Sequence, residues 1–433
     1  MKRLVLFLLK KERDSFIAYY ILYISHLWKN NPFSFRLLLD SVSLLLGWLY
    51  FNTILQLVSQ LNKLRETELF FSIRKWILNY FKLIDNYIII PCPNNYNSLK
   101  EKKHFHLFTH YKLPNVSLIS YHNIYLFISE SYGVVFKPFK LKWKSIHGLW
   151  DFRSVNEIHP RYYRYIMDVY LRNKYLDKKY YTLPQSHKKY LLVHHEFNYY
   201  HWLTETWVRL WKIKDTQEEY VVLLPESLKK YSFVHSTLST FEQLAIQWVP
   251  ESTIIKARAL EMMSMKRYWQ HYNPVVLSNL RDHFRQFTGK LDIESPEKLF
   301  ISRKKAVRRT FDNNEEIEST FRAKGFTVIH FEDYSFFEQV ALMRNTNYLA
   351  GMHGAGLTNM IFMQNGGRVL EFHRSIGSSK DHHSIVYKNM SVCMQHEYFI
   401  HFCEPTNEEE SFFTVNFKVN KAALEALLVL FLS

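Results

Sequence analysis

The sequence predicts an α/β protein of two Rossmann-like domains facing a cleft, with an N-terminal helical extension. Three observations carry that prediction. From Lys189 onward, short apolar runs alternate with helical stretches, the pattern of parallel strands joined by crossovers. Two such series are separated near 255–275. The second series ends on 347–372, NYLAGMHGAGLTNMIFMQNGGRVLEF, where a glycine turn joins the end of a strand to a helix start. That junction presents backbone N–H groups and a positive helix end to an anion. Its spacing matches neither GxGxxG nor GxxxxGK[ST], so neither of those phosphate-binding readings is supported.

The first segment, 1–98, reads as helical and membrane-associating. Residues 1–103 hold 15 Lys and Arg against 7 Asp and Glu, half of a net charge of +16 for the whole chain. Ser41 to Asn62 carries no charge and is long enough to cross a bilayer, yet its Ser, Asn and Gln residues make it polar. Basic residues beside Trp28 and Trp76 place helices on a membrane surface first, with a single span and soluble packing helices as alternatives. No cleavable signal peptide is recognised, and the expected location is the cytoplasm, peripherally at the inner face of the cell membrane, with a single-span anchor as the alternative. Three cysteines without a CxxC indicate neither a disulfide framework nor a zinc finger. A hydrophobic content of 47% excludes a disordered chain.

Pro91, Pro93 and neighbouring asparagines mark a linker into a first domain, 99–272. Its strands read as 116–120, 124–128 and 134–139 around a turn at Gly133, then 189–193, 219–224 and 253–259. Its helices read as 162–173, 199–214 and 226–241. The second domain, 273–412, opens with a helix from Asn273-Pro274 to about Phe287. It continues with strands at 299–302 and 327–330, helices at 314–324 and 335–344, and the glycine element with a helix at 357–363 and a strand at 368–372. An apolar helix at 421–432, within 413–433, is expected to pack back onto the first domain.

Four patches carry candidate chemistry. His353 beside the turn Gly354-Ala355-Gly356 is placed to reach a phosphate or sugar, or serves only the fold. Arg303, Arg308 and Arg309 follow the strand ending at Ser302, at the end of a parallel strand where ligands of such sheets bind. A solvated basic loop is the alternative. Glu371 is placed to accept hydrogen bonds from ribose hydroxyls, or to pair with Arg374. In HHEFNYYHWLTE, His201 and Glu205 are four residues apart and share one helical face. HExxH does not occur and no DxD pair is present, so no metal site is expected despite 21 histidines.

Three motifs in order resemble glycosyltransferase family 61: Asn198-Tyr-Tyr-His201-Trp202-Leu-Thr-Glu205, Ile301-Ser302-Arg303, and Phe336-Phe337-Glu338-Gln339 followed by His353-Gly354-Ala355-Gly356-Leu357-Thr358-Asn359 and Val369-Leu370-Glu371. Glu205 stands where the family usually has Asp. The resemblance implies two domains in the GT-B arrangement and an inverting, metal-independent transferase with no cofactor. Its donor would be a nucleotide sugar, UDP-linked, and its acceptor a glycan or lipid-linked molecule in polysaccharide or glycoconjugate synthesis. Arg303, Arg308, Arg309, His353, Gly354, Ala355, Gly356, Thr358, Asn359 and Glu371 fall on the donor side, and Asn198 and Trp202 on the acceptor side. Glu205 or His201 would be the base, Glu205 being placed first and His194 and His195 held in reserve. A catalytically silent phosphosugar binder on the same fold is the rival reading. A nucleic-acid partner is not expected, since no recognition motif accompanies the positive charge.

Overall fold

The computed structural model describes residues 89–91, 110–112, 115–128, 133–137, 140–145, 180–193, 198–214, 216, 218–241, 244–251, 253–266, 272–306, 309–374, 386–407 and 414–433. The stretch 41–62, the expected helix at 162–173, His194, His195 and Arg308 lie outside them. Among the described residues, no helix is long and apolar enough to cross a membrane.

Strands β1 (Ile89–Pro91) and β2 (His110–Lys112) form an antiparallel pair. The first large sheet contains β3 (Asn115–Ile128), β4 (Gly133–Lys137), β5 (Lys140–Ser145), β6 (Tyr181–Thr182), β7 (Lys189–Leu192), β8 (Tyr220–Pro225), β9 (Ala245–Val249) and β10 (Ile254–Lys266). Their order is β5-β4-β3-β10-β7-β8-β9, with β6 beside β10. The half from β10 to β9 is parallel and the β3–β5 half antiparallel, so only part of the sheet matches the all-parallel expectation. Where two strands were expected at 116–128 there is one, bent at Asn123, which takes a left-handed φ of 49°. Strand β9 escapes a sequence reading because both its faces are half-buried, which blurs its alternation.

The second sheet is built from β11 (Lys298–Ile301), β12 (Thr327–Ile329), β13 (Tyr348–Met352), β14 (Arg368–Arg374), β15 (Glu397–Pro405) and β16 (Phe417–Lys418). The order is β12-β11-β13-β14-β15-β16, parallel except for β16. Its five parallel strands follow the doubly wound 2-1-3-4-5 order.

Helix α1 has α-helical ends, Tyr199–His201 and Trp207–Ile213, flanking a π-helical segment, Trp202–Thr206. Helices α2 (Ser232–Leu238), α3 (Pro274–Arg285), α4 (Asn314–Ala323), α5 (Phe336–Leu342), α6 (Val386–Cys393) and α7 (Lys421–Leu432) complete the framework. Local chemistry explains several starts. Asn273 caps α3 with Pro274 at its first position, and Ser335 with Glu338 forms a capping box on α5. The single helix expected at 226–241 divides instead at Tyr231, whose backbone is extended.

One apolar core runs through both sheets. Leu191, Val222 and Leu224 of the first join Trp207 and Leu210 of α1, Phe284 of α3, Phe336 of α5, and Leu299 and Ile301 of the second. The last helix, α7, buries Leu424, Leu427, Leu428 and Phe431 with Phe326, Tyr348 and Phe399 on the second sheet. It therefore does not dock on the first domain as expected.

Candidate functional site

The chain leaves β11 toward β12 on one side, then crosses back to β13 on the other. Connections that diverge in this way open a crevice at the carboxyl ends of the two strands. Strand β11 delivers Ser302 and Arg303 there, and β13 delivers His353 and Gly354. Buried Ser302 donates to Glu318 Oε1 at 2.6 Å, which anchors the strand end. The basic loop curls back so that Arg303 Nε donates to the Arg309 carbonyl at 2.9 Å. Arg309 holds that return with a left-handed φ of 56°.

Both guanidinium groups converge on Gly354. A Cβ there would lie 2.9 Å from Arg303 Nη1 and 3.8 Å from Arg309 Nη2, which measures how near the two groups come to the turn. The following segment, Ala355–Phe362, is a 3₁₀-helix, tighter than the expected α-helix. Its first bond runs from the Leu357 amide to the Gly354 carbonyl at 3.0 Å. No earlier carbonyl of the helix can satisfy the amides of Gly354, Ala355 and Gly356. Arg303, Arg309 and the amides of 354–356 thus lie together at the end of β13.

Behind the turn, His353 Nδ1 is hydrogen-bonded to Glu371 Oε1. Tyr398 donates to the other carboxylate oxygen at 2.5 Å. Glu371 is fully buried, and that burial pushes its carboxyl up to about 7 against the opposing pull of His373 and the Tyr398 bond. This corrects the sequence reading of Glu371: it supports His353 and does not meet ribose hydroxyls. The His353 ring also stacks edge-on with His373 at 4.8 Å and with Tyr387 at 5.2 Å. His353, Glu371 and His373 have ligand atoms within 4.8 Å of one another, close enough to surround a metal ion. Sequence reasoning missed His373, although two residues after Glu371 on a strand is the same face.

The second patch sits on α1. Asn198 caps it by accepting from the Tyr200 amide at 2.9 Å. His201 Nδ1 and Glu205 Oε1 are 2.9 Å apart, so the predicted shared face survives the wider π turn. The Glu205 side chain is only 3% exposed and that of His201 23%, so the carboxylate lies behind the imidazole. Trp202 is a correction: it is fully buried and donates to Thr237 Oγ1 at 2.9 Å, so it packs the core and cannot face an acceptor.

Aromatic side chains join the two patches. Tyr199 donates to Asn359 Oδ1 at 2.7 Å, and Asn359 Nδ2 donates to Gln339 Oε1 and the Gly356 carbonyl, each at 3.2 Å. Asn359 and Thr358 are fully buried, so Asn359 latches α1 to the turn and neither side chain reaches a donor. Ring centroids run from His201 to Tyr200 at 4.8 Å, to Tyr387 at 6.2 Å, and to His353 at 5.2 Å. The Tyr200 and Tyr272 hydroxyls share a 2.6 Å hydrogen bond.

A doubly wound sheet whose switch point gathers two arginines, a glycine turn and a buried histidine–carboxylate pair defines an α/β protein equipped for an anionic ligand. Residues 199–370 match the family model of Glycosyltransferase 61. The match begins at the first residue of α1 and ends one residue before Glu371. The chain is also similar to the EGF domain-specific O-linked N-acetylglucosamine transferase of Drosophila melanogaster, with 32% identity over 76 residues. Those residues are 17% of this chain and 15% of that protein's length.

Proposed function

We propose that the chain is an inverting, metal-independent glycosyltransferase in the GT-B manner, moving a sugar from a UDP-linked donor to a glycan or lipid-linked acceptor. The observation that carries this reading is the convergence of Arg303 and Arg309 on Gly354, beside the His353–Glu371 pair, inside the family-61 segment.

Sugar transfer needs stabilisation of the departing diphosphate, by a metal ion or by fixed cations and dipoles. Arg303, Arg309 and the amides of 354–356 are of the second kind. His353 adds a donor from Nε2 when the His353–Glu371 pair holds its proton. Inversion needs a base on the face opposite the leaving group. His201 is the base in this reading, with Glu205 orienting the ring and stabilising the imidazolium that forms. The burial order reverses the sequence preference, because the carboxylate is the more enclosed of the two. The acceptor oxygen bonds to the anomeric carbon as its proton passes to His201 and the carbon–oxygen bond to the diphosphate breaks. The basic, tryptophan-bearing first hundred residues support attachment to the inner face of the cell membrane.

The test is to incubate the full chain with a panel of UDP-sugars and measure UDP release with and without candidate acceptors. Slow hydrolysis of one donor, accelerated by an acceptor, is expected. Thermal stabilisation by UDP without turnover of any donor would instead make the protein a silent binder.

A further inference from the structure

A second concave site lies on the first sheet, at the opposite end of β7 from α1. It is a cavity of about 770 Å³ between β3, β10 and the segment 182–190. That volume lies within the range of small-ligand sites. Register explains its floor. Lys256 of β10 stands opposite Tyr125 of β3 and Thr182 of β6, so the three share the sheet's outer face. Arg258 follows on the same face two residues on. The left-handed Asn123 bends β3 at this point and is itself part of the lining.

The wall is held in place. Leu183 donates its amide to the Lys256 carbonyl at 3.3 Å, and the Tyr190 hydroxyl donates to the Pro184 carbonyl at 2.8 Å. The lining contains His187, Lys188, Lys189, Lys256 and Arg258 and no acidic residue. Lys188 and Lys189 are paired with glutamates outside it. Lys256 and Arg258 have no carboxylate partner among the described residues; Lys256 Nζ instead sits 4.1 Å over the Tyr180 ring, which lies 5.9 Å from the Tyr125 ring. Two cations and the Tyr125 ring in the lining of one hollow suit sugar rings that carry carboxylates.

We infer that this cavity is an acceptor subsite for an acidic oligosaccharide, gripped by Lys256 and Arg258 away from the reacting centre. The inference rests on the glycosyl-transfer reading for the role of that ligand, while the binding itself is separable from it. The experiment measures binding of tetragalacturonate, neutral maltotetraose, a short oligonucleotide, anionic phospholipid vesicles and UDP to the full chain by calorimetry. Tetragalacturonate should bind and maltotetraose should not, and saturating UDP should not compete. Lys256→Glu and Arg258→Glu should each weaken tetragalacturonate binding by about tenfold or more and leave UDP affinity unchanged. The exposed Lys290→Glu, on the other domain, should change neither. No tetragalacturonate binding, equal binding by both charge-reversal variants and the parent, or binding confined to the oligonucleotide or vesicles would overturn the inference. UDP binding would still support the donor site in that event. Tetragalacturonate binding without UDP binding would keep the subsite and remove the transferase reading.

Discussion

The crevice at Gly354 and the α1 patch solve the same problem, holding charge at a fixed point, in opposite ways. At the crevice, the charges stand on strand ends and a glycine lets two guanidinium groups approach the backbone. On α1, the carboxylate is sunk into a π-helical segment whose five residues are all buried, and only the imidazole is partly exposed. Such π segments are rare and cluster at functional sites. The first region brings cations to a backbone turn, and the second keeps one ring in a single orientation. A mutation in the first should therefore act on binding, and one in the second on turnover.

The largest effect is expected on α1. His201→Ala should lower transfer by roughly 10²–10⁴-fold with UDP affinity retained, since a base that never touches the diphosphate contributes nothing to its binding. Glu205→Gln should retain measurable activity, because an amide still orients the ring. Steady-state kinetics beside UDP calorimetry would settle the contrast. Near-normal turnover in both folded variants would move the base elsewhere.

Next in size is Arg303→Ala. Losing a charge-assisted contact should weaken UDP binding by roughly 1.5–3 kcal/mol while the fold persists. Unchanged affinity would remove Arg303 from the crevice and with it the distinction between the regions.

A smaller effect is expected from pH. Burial raises the Glu371 carboxyl from 4.5 to about 7, so the pair it forms with His353 gives up its proton near neutrality. Below that point the pair keeps a proton for His353 Nε2 to donate; above it, the nitrogen presents a lone pair to the diphosphate. UDP affinity should fall as pH rises through about 7, and the dependence should flatten in Glu371→Gln. Stability carries the same sign: the folded chain holds a proton that the unfolded chain has released, so this carboxyl's contribution falls as pH rises from 4.5 through 7. Thermal melts of both proteins across that window would show it.

The smallest expected effect is none. EDTA should leave transfer intact, since the crevice neutralises charge with arginines and amides. Complete loss, restored by Mn²⁺, would assign an ion to His353, Glu371 and His373 and turn the crevice into a metal site.

The sequence by itself determined the local pieces. The glycine turn, the arginines after β11 and the four-residue spacing of His201 and Glu205 are consequences of neighbours in the chain, where periodicity and turn chemistry act. The capped helices α3 and α5 belong to the same class. Only the tertiary structure decided which of those residues are enclosed. Trp202, Thr358, Asn359 and Glu371 look like site residues in the chain, yet each is buried. Burial depends on what packs from elsewhere: Tyr398 reaches Glu371 from 27 residues away, and Tyr199 reaches Asn359 across 160. The return of the basic loop onto Gly354 is likewise set by strand order, because β11 and β13 become neighbours only when the chain crosses from one side of the sheet to the other. No spacing in the sequence encodes that adjacency. It exists only once the sheet has closed around the core.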